Sequence, residues 1–350
     1  MPLVHDPSVP PKPGSRQAPL IALQVFFVSV ALLVFSLRLY TRASILRSIG
    51  SDDYIMGFAA LISIGLSINA CISTTYGWSH HLSSIPAANF GPILLTIWLS
   101  ELLFTISTSL AKISILFFYL RLAVTKTYKR IIYFSIGFIV VWAITFSAVI
   151  IFQCQPVSEY WNPTGTKCYK PEIALFIHGL TNTMTDVYIY ILPMKMVWEV
   201  QLPKRQRIGL LAIFAAGFLV CVAGALRLYY SILTDKSSDT PWEGFYLWTW
   251  ESIEINLGIV CASAPCLKAF VTRIVPRLLG SIGGSNIGTG SGRVELGSLE
   301  SGRRAEGRGG MKGKERERGE SEDNLTDGHE CVLVAKVDVH QTTFLKSQGS

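Results

Sequence analysis

The sequence predicts an all-α fold: a polytopic membrane bundle of seven transmembrane helices, with the N-terminus outside and the C-terminus in the cytoplasm. Three observations carry this expectation. Half of the 350 residues are hydrophobic and 16% are charged, where a soluble domain carries about a quarter charged residues. Several stretches are long and apolar enough to cross a hydrocarbon layer of ~30 Å, which takes about 20 residues at ~1.5 Å each. The basic residues, finally, collect in loops on one side of those stretches.

Seven such stretches run over 19–40, 54–75, 92–120, 131–152, 173–194, 208–233 and 245–270. The first four and the sixth are apolar almost throughout. The fifth and seventh carry several polar residues and are read as spans from their length and from the alternation of sides. The loops after helices one, three and five, with the start of the tail, hold thirteen Lys and Arg, among them Arg42, Arg47, Arg121, Lys126, Lys129 and Arg130. The opposite side holds five, Lys12, Arg16, Lys167, Lys170 and Lys236. That asymmetry puts the N-terminus outside and requires an odd number of helices.

The chain divides into a short Pro-rich extracellular segment, 1–18, a seven-helix domain, 19–275, and a cytoplasmic tail, 276–350. Residues 280–350 hold ten basic and eleven acidic residues among many Gly and Ser, a composition that cannot bury a core and predicts disorder. The tail is either simply solvated or a docking and phosphorylation segment for a cytoplasmic signalling partner. Neither a cleaved signal peptide nor a lipidation motif is evident, so the lipid bilayer is held by the spans themselves. Nothing in the charge pattern suggests nucleic acid as a partner.

Between helices four and five lies CQPVSEYWNPTGTKC, with Cys154 and Cys168 at its ends. In an oxidising compartment this pair is expected to form a disulfide that holds the two helices together. Two free thiols, or pairing with Cys71 at the outer end of helix two, are the alternatives.

Several segments together resemble the fungal rhodopsin-domain family of seven-helix membrane proteins, a group related to Pth-type receptor-like proteins and to membrane proteins of satratoxin-type gene clusters. RLYTRASILRSIGSDDY is similar to the family's Arg-rich end of helix one followed by an Asp pair, Asp52 and Asp53. TTYGWSHH is similar to its outer loop, with Tyr76, Gly77 and His80 in place but Ser79 where Gly is usual. SELLFTISTSLAKISILFFYLR, with Glu101, Lys112, Tyr119 and Arg121, resembles its third helix. The Cys154–Cys168 loop with Pro156 and Trp161 is the most specific match. DVYIYILP, the segment from Gly217 to Arg227, and ESIEINLGIVCASAPCLK complete the set, which covers about residues 20–275. The resemblance implies a receptor-like or sensory membrane protein, most naturally at the plasma membrane.

The family name invites retinal, and the residues argue against it. A retinal Schiff base needs a Lys amine near the middle of helix seven. None lies between Phe245 and Leu267; Lys268 sits at the cytoplasmic end of helix seven, and Lys112, the only Lys deeper inside an expected span, belongs to the inner part of helix three. No cofactor is expected.

Ionisable residues inside a span are costly and mark functional candidates. Glu101, Arg227, Glu251 and Glu254 fall, by residue count, in the outer half of the bundle. His178, Asn182 and Asp186 repeat every four residues along helix five and so share a face. With Trp98, and with Trp248, Trp250 and Tyr229 at a similar depth, they suggest an outward-facing pocket for a small extracellular ligand. The competing reading is structural. Arg227 paired with Glu251 or Glu254 would join helices six and seven, the stripe would make interhelical hydrogen bonds, and the aromatic residues would form an interfacial belt.

Enzymatic chemistry is not expected. Only His178 of six His lies within a span, so a zinc hydrolase lacks its ligands, and no His-Glu-x-x-His, nucleophile elbow or phosphate loop occurs. The stronger rival is a proton- or cation-coupled transporter using the embedded carboxylates, although the two halves show no internal repeat.

Overall fold

The computed structural model describes residues 14–123, 125–162, 168, 172–198 and 204–282. Seven long α-helices fill them: α1 (Gln17–Tyr40), α2 (Ser51–Tyr76), α3 (Phe90–Leu122), α4 (Lys126–Ile151), α5 (Glu172–Trp198), α6 (Lys204–Lys236) and α7 (Thr240–Ile282). Residues 1–13 and 283–350, which include most of the expected tail and outer segment, lie outside the description. Among the described residues, five helices are long and apolar enough to cross a membrane: α1 to α4, and the Ala215–Lys236 part of α6. These are the five whose sequences are apolar almost throughout. α5 and α7, which carry polar stripes, are not among the five, and the side chains of α7 beyond residue 266 lie outside that count. α7 continues past the expected end at residue 270 and, at 43 residues, is ~65 Å long, about twice the hydrocarbon thickness.

The order of packing is a closed ring, α3–α2–α1–α7–α6–α5, with α4 set against α3. α1 packs on α2 and α7, α5 on α6, and α6 on α7, while α3 touches α2, α4, α5 and α7. The central core joins Ala31, Met56, Ala59, Phe104, Ile255 and Ile259 from α1, α2, α3 and α7. Large apolar side chains point the other way, among them Phe134 at 78%, Ile173 at 75% and Leu33 at 63% exposure. In water such a surface would aggregate; in lipid it is the solvated face. Helices satisfy their own backbone hydrogen bonds, which is why this architecture tolerates that solvent.

The loop beyond α2 caps one end of the bundle. Gly77 ends α2 with φ +117°, and a Cβ there would press on Ile85. Trp78 then turns inward and stacks on Trp248 at 4.6 Å between ring centres. The N-terminal segment is tied to the same layer. The Arg16 backbone N–H donates to Ser79 O at 3.0 Å, and the Ser79 N–H donates to Pro241 O at 3.0 Å. The Arg16 guanidinium lies 3.9 Å over the Trp242 ring, and His81 Nδ1 meets Asp239 Oδ2 at 2.7 Å. At this same end, Cys154 and Cys168 are bonded, which is the expected pairing; Cys71 is free.

Candidate functional site: a buried charge network

Two polar stripes face each other where α3 meets α5. On α3 the stripe is Thr105, Thr108 and Lys112, at the 3–4 residue spacing of one helix face. On α5 it is His178, Asn182 and Asp186. They match level by level. Thr105 Oγ1 lies 3.1 Å from His178 Nε2, Thr108 Oγ1 donates to Asn182 Oδ1 at 3.5 Å, and Lys112 Nζ reaches Asp186 Oδ1 at 3.2 Å. Because Thr105 already donates to Glu101 O at 2.8 Å, the His178 ring must supply the proton of its bond to Thr105. The ring is boxed by Trp142, stacked at 4.9 Å, and by the edge of Phe146 at 5.0 Å.

Lys112 is the hub that sequence reasoning placed apart from the candidate residues. Its ammonium also donates to Asn182 O at 2.9 Å, to Asn182 Oδ1 at 2.8 Å and to Thr185 Oγ1 at 2.8 Å. The i, i+3, i+7 run Thr105, Thr108 and Lys112 was the available signal, since it sets Lys112 on the face that looks at α5.

α6 and α7 close the network. Arg227 Nε donates to Glu254 Oε2 at 2.8 Å, and Asn182 Nδ2 donates to Glu254 Oε1 at 2.6 Å. The pairing therefore falls on Glu254, one of the two partners the sequence left open. Two cations, Lys112 and Arg227, balance two carboxylates, Asp186 and Glu254. The guanidinium carbon sits 4.5 Å over the Phe104 ring, and Arg227 Nη2 is buried without a hydrogen-bond partner. Gly224 is where α6 approaches the site: a Cβ would lie 3.4 Å from Glu254 Oε2 and 3.6 Å from Asp186 Oδ2.

The remaining sequence candidates are placed around this centre. Glu251 is buried and close enough to Arg227, Glu101 and Glu254 to feel their charge. Glu101 lies one turn beyond Thr105, and its Oε2 is buried without a hydrogen-bond partner. Burial, and then the charge of Glu101, push the hydroxyl of Tyr160 in the neighbouring loop well above its ordinary pKa. Trp98 and Trp248 stand outside the network: Trp98 Nε1 donates to Ile150 O at 2.9 Å, and Trp248 stacks on Trp78. On the far side, Lys112, Asp186 and Glu254 line a cavity of about 60 Å³ that continues toward Tyr119, Tyr190 and Cys261. That is room for about two waters, well below the ~300 Å³ of a typical ligand pocket.

A second buried charge cluster binds the helix ends at the opposite pole from the disulfide. Arg38 contacts Asp53 Oδ1 at 2.8 Å and Asp52 Oδ2 at 2.7 Å. Arg42 contacts both carboxylates at 2.9 Å, and its Nε donates to Cys266 Sγ at 3.2 Å. Arg38 Nη1 also donates to Ala262 O on α7. Half-exposed Arg121, from the end of α3, reaches Asp52 at 3.1 Å. Two carboxylates of α2 thus gather Arg38, Arg42 and, from α3, Arg121, and the first two arginines carry the cluster on to α7. The sequence showed the Arg-rich end and the Asp pair but not that they meet.

Long apolar helices that turn charged side chains inward and Phe, Ile and Leu outward define a multi-pass integral membrane protein. The chain belongs to the fungal rhodopsin domain family, whose model matches residues 37–273. It is 27% identical over 314 residues to Receptor GIN3 of Arthrobotrys oligospora, covering 84% of this chain and 72% of that protein. It is 28% identical over 206 residues to a SAT4 family membrane protein of Emericella nidulans, covering 57% of this chain and 52% of that protein. Fugralins biosynthesis cluster protein 2 of Gibberella zeae is 24% identical over 254 residues, 68% of this chain and 61% of that protein. No solved structure matches the chain.

Proposed function

We propose that the chain is a seven-span, receptor-like or sensory protein of the plasma membrane. Its N-terminus is outside and its tail is in the cytoplasm, and it works without retinal and without enzymatic chemistry. The observation that carries this reading is the pair of unsatisfied groups beside the charge network, Arg227 Nη2 and Glu101 Oε2. Each unpaired buried group costs about 1–3 kcal/mol. A small ligand from outside that accepts from Arg227 and donates to Glu101 recovers that cost and biases the helices that carry them. The name Receptor GIN3, borne by a relative that aligns with most of the chain, points the same way. Against retinal stand the placement of Lys112, whose side chain is tied to Asn182, Thr185 and Asp186 of α5, and the run from Phe245 to Leu267, which holds no Lys to form the imine.

The test uses the purified full chain in nanodiscs, melted in the presence of small compounds that carry both an amine or hydroxyl donor and a carboxylate. At least one is expected to raise the melting temperature, with the rise lost in Arg227→Lys, which keeps the charge but not the second donor, and in Glu101→Gln. No compound shifting the wild type, or shifts indifferent to both changes, counts against the reading.

One observation favours a second reading, proton- or cation-coupled transport: besides Glu254, which pairs with Arg227 and lines the cavity, a second buried carboxylate of α7, Glu251, lies within reach of the Arg227 charge. In that case Glu251→Gln abolishes flux in reconstituted vesicles, and unaffected flux rejects it.

A further inference from the structure

Between α4 and α5 a groove of about 340 Å³ opens on the lipid-facing surface, lined by Phe134, Phe138, Ile139 and Met184 and by the hydroxyl-bearing Ser135, Thr181, Thr185 and Tyr188. Its rim is exposed to the bilayer, Phe134 at 78% and Met184 at 60%. Its volume falls within the range of small-molecule sites, unlike the cavity beside Lys112.

The hydroxyls decide what the groove accepts. Ser135 Oγ donates its one proton to Ile131 O at 2.8 Å. In the 2.8 Å bond between Ser135 Oγ and Tyr188 Oη, Tyr188 must therefore be the donor. Thr181 donates to Ile177 O at 2.7 Å and accepts from Trp142 Nε1 at 2.8 Å. Thr185 donates to Asn182 O at 2.7 Å and accepts from Lys112 at 2.8 Å. Each of these three both gives and receives. Tyr188 Oη only gives, and it keeps its acceptor lone pairs in the lining of a mostly apolar groove. A partner must donate to it, which selects an alcohol and disfavours an ionised carboxylate.

The depth fits as well. Lys126, Lys129 and Arg130 open α4, and Ser135 follows Arg130 by only ~8 Å of helix. Basic residues at a span's end sit at the headgroups, so the Ser135–Tyr188 pair lies just inside them. From there the groove rises along Ile139, Met184 and Thr181 into the hydrocarbon. A rigid ring system with one hydroxyl at its end matches this shape, and it loses less conformational freedom on binding than a flexible chain does.

We propose that the α4–α5 groove is a binding site for a sterol-class lipid, its hydroxyl donating to Tyr188 and its rings lying between Phe138 and Met184. Thr185, which shares the groove and bonds Lys112, connects the bound lipid to the charge network. The site is independent of the ligand proposed for Arg227 and Glu101.

The test is labelling of the full chain in membranes with a photoactivatable, clickable sterol, with labelled peptides located by mass spectrometry. Label is expected on α4 and α5 and is competed by excess unmodified sterol. Met184→Trp, a lipid-facing change that fills the groove, is expected to reduce it at least fivefold. Tyr188→Phe, which removes the acceptor, reduces it about five- to tenfold, the worth of one hydrogen bond. Leu33→Trp on the lipid face of α1 leaves labelling unchanged and controls for folding. Label spread over all lipid-facing helices overturns the proposal, as does insensitivity to both groove variants or equal labelling by a photoactivatable fatty acid.

Discussion

Glu254→Gln removes one charge from the centre of the bundle, and the structure fixes what that leaves behind. Glu254 is 2% exposed, and its two oxygens accept from two different helices, Oε1 from Asn182 and Oε2 from Arg227. A Gln amide offers one oxygen to those two donors and turns its NH2 against the other. If it keeps Asn182, Arg227 is left as a buried cation without its hydrogen-bonded carboxylate, over the Phe104 ring. Two magnitudes compete. Interhelical polar contacts in membranes average ~0.6 kcal/mol and reach ~1.7, whereas breaking a buried ion pair costs about 3–5 kcal/mol. The second governs here, because the partner left behind stays charged and enclosed by protein rather than finding lipid headgroups or water. The expected loss is about 3 kcal/mol for Glu254→Gln and similar for Arg227→Gln. The double variant should lose about 2 kcal/mol less than their sum. Reversible unfolding in bicelles by SDS titration measures all three, and losses that add within ~0.5 kcal/mol refute the direct pair.

The other expectations are more local. A Cβ at Gly50 would overlap the Arg121 guanidinium, so Gly50→Ala should eject Arg121 from Asp52. Since Arg121 is half-exposed, the loss is at most ~1 kcal/mol, read as faster trypsin cleavage at Arg121 with Arg38 and Arg42 still in place; unchanged cleavage argues against that contact. Replacing Cys154 and Cys168 together with Ser removes a cross-link between residues 14 apart, and the chain-entropy account expects a loss of about 3 kcal/mol. An unchanged melting temperature would show that the loop is held by its other contacts.

Much of this was legible in the sequence. Apolar length found the helices, the residues at the ends of the outer loop found the disulfide, and the intramembrane charges pointed to Arg227 and Glu254. What stayed hidden depends on rotational phase. Glu101 and Lys112 both belong to the polar face of α3, yet only Lys112 meets α5 at a level where α5 is polar; Glu101 lies beyond His178, beside Tyr160. Residue count gives depth along a helix but not which neighbour stands opposite. The same limit hid the inner cluster, where Arg38 closes α1, Arg42 follows one helical turn later, and Asp52 and Asp53 begin α2. Only the packing of α1 on α2 shows that one carboxylate serves three guanidiniums. Trp98 and Trp248 were read as candidates by depth alone, and each instead satisfies a contact in the outer layer.

Placing Arg227 and Glu101 toward the outside, and Lys126 with Arg130 at the cytoplasmic headgroups, depends throughout on an odd number of crossings. Fusing one epitope ahead of Gln17 and another behind residue 350 in intact cells, then probing each before and after permeabilisation, examines that directly. The account predicts that the first is stained without permeabilisation and the second only after it; both reporting from one face of the membrane would contradict it.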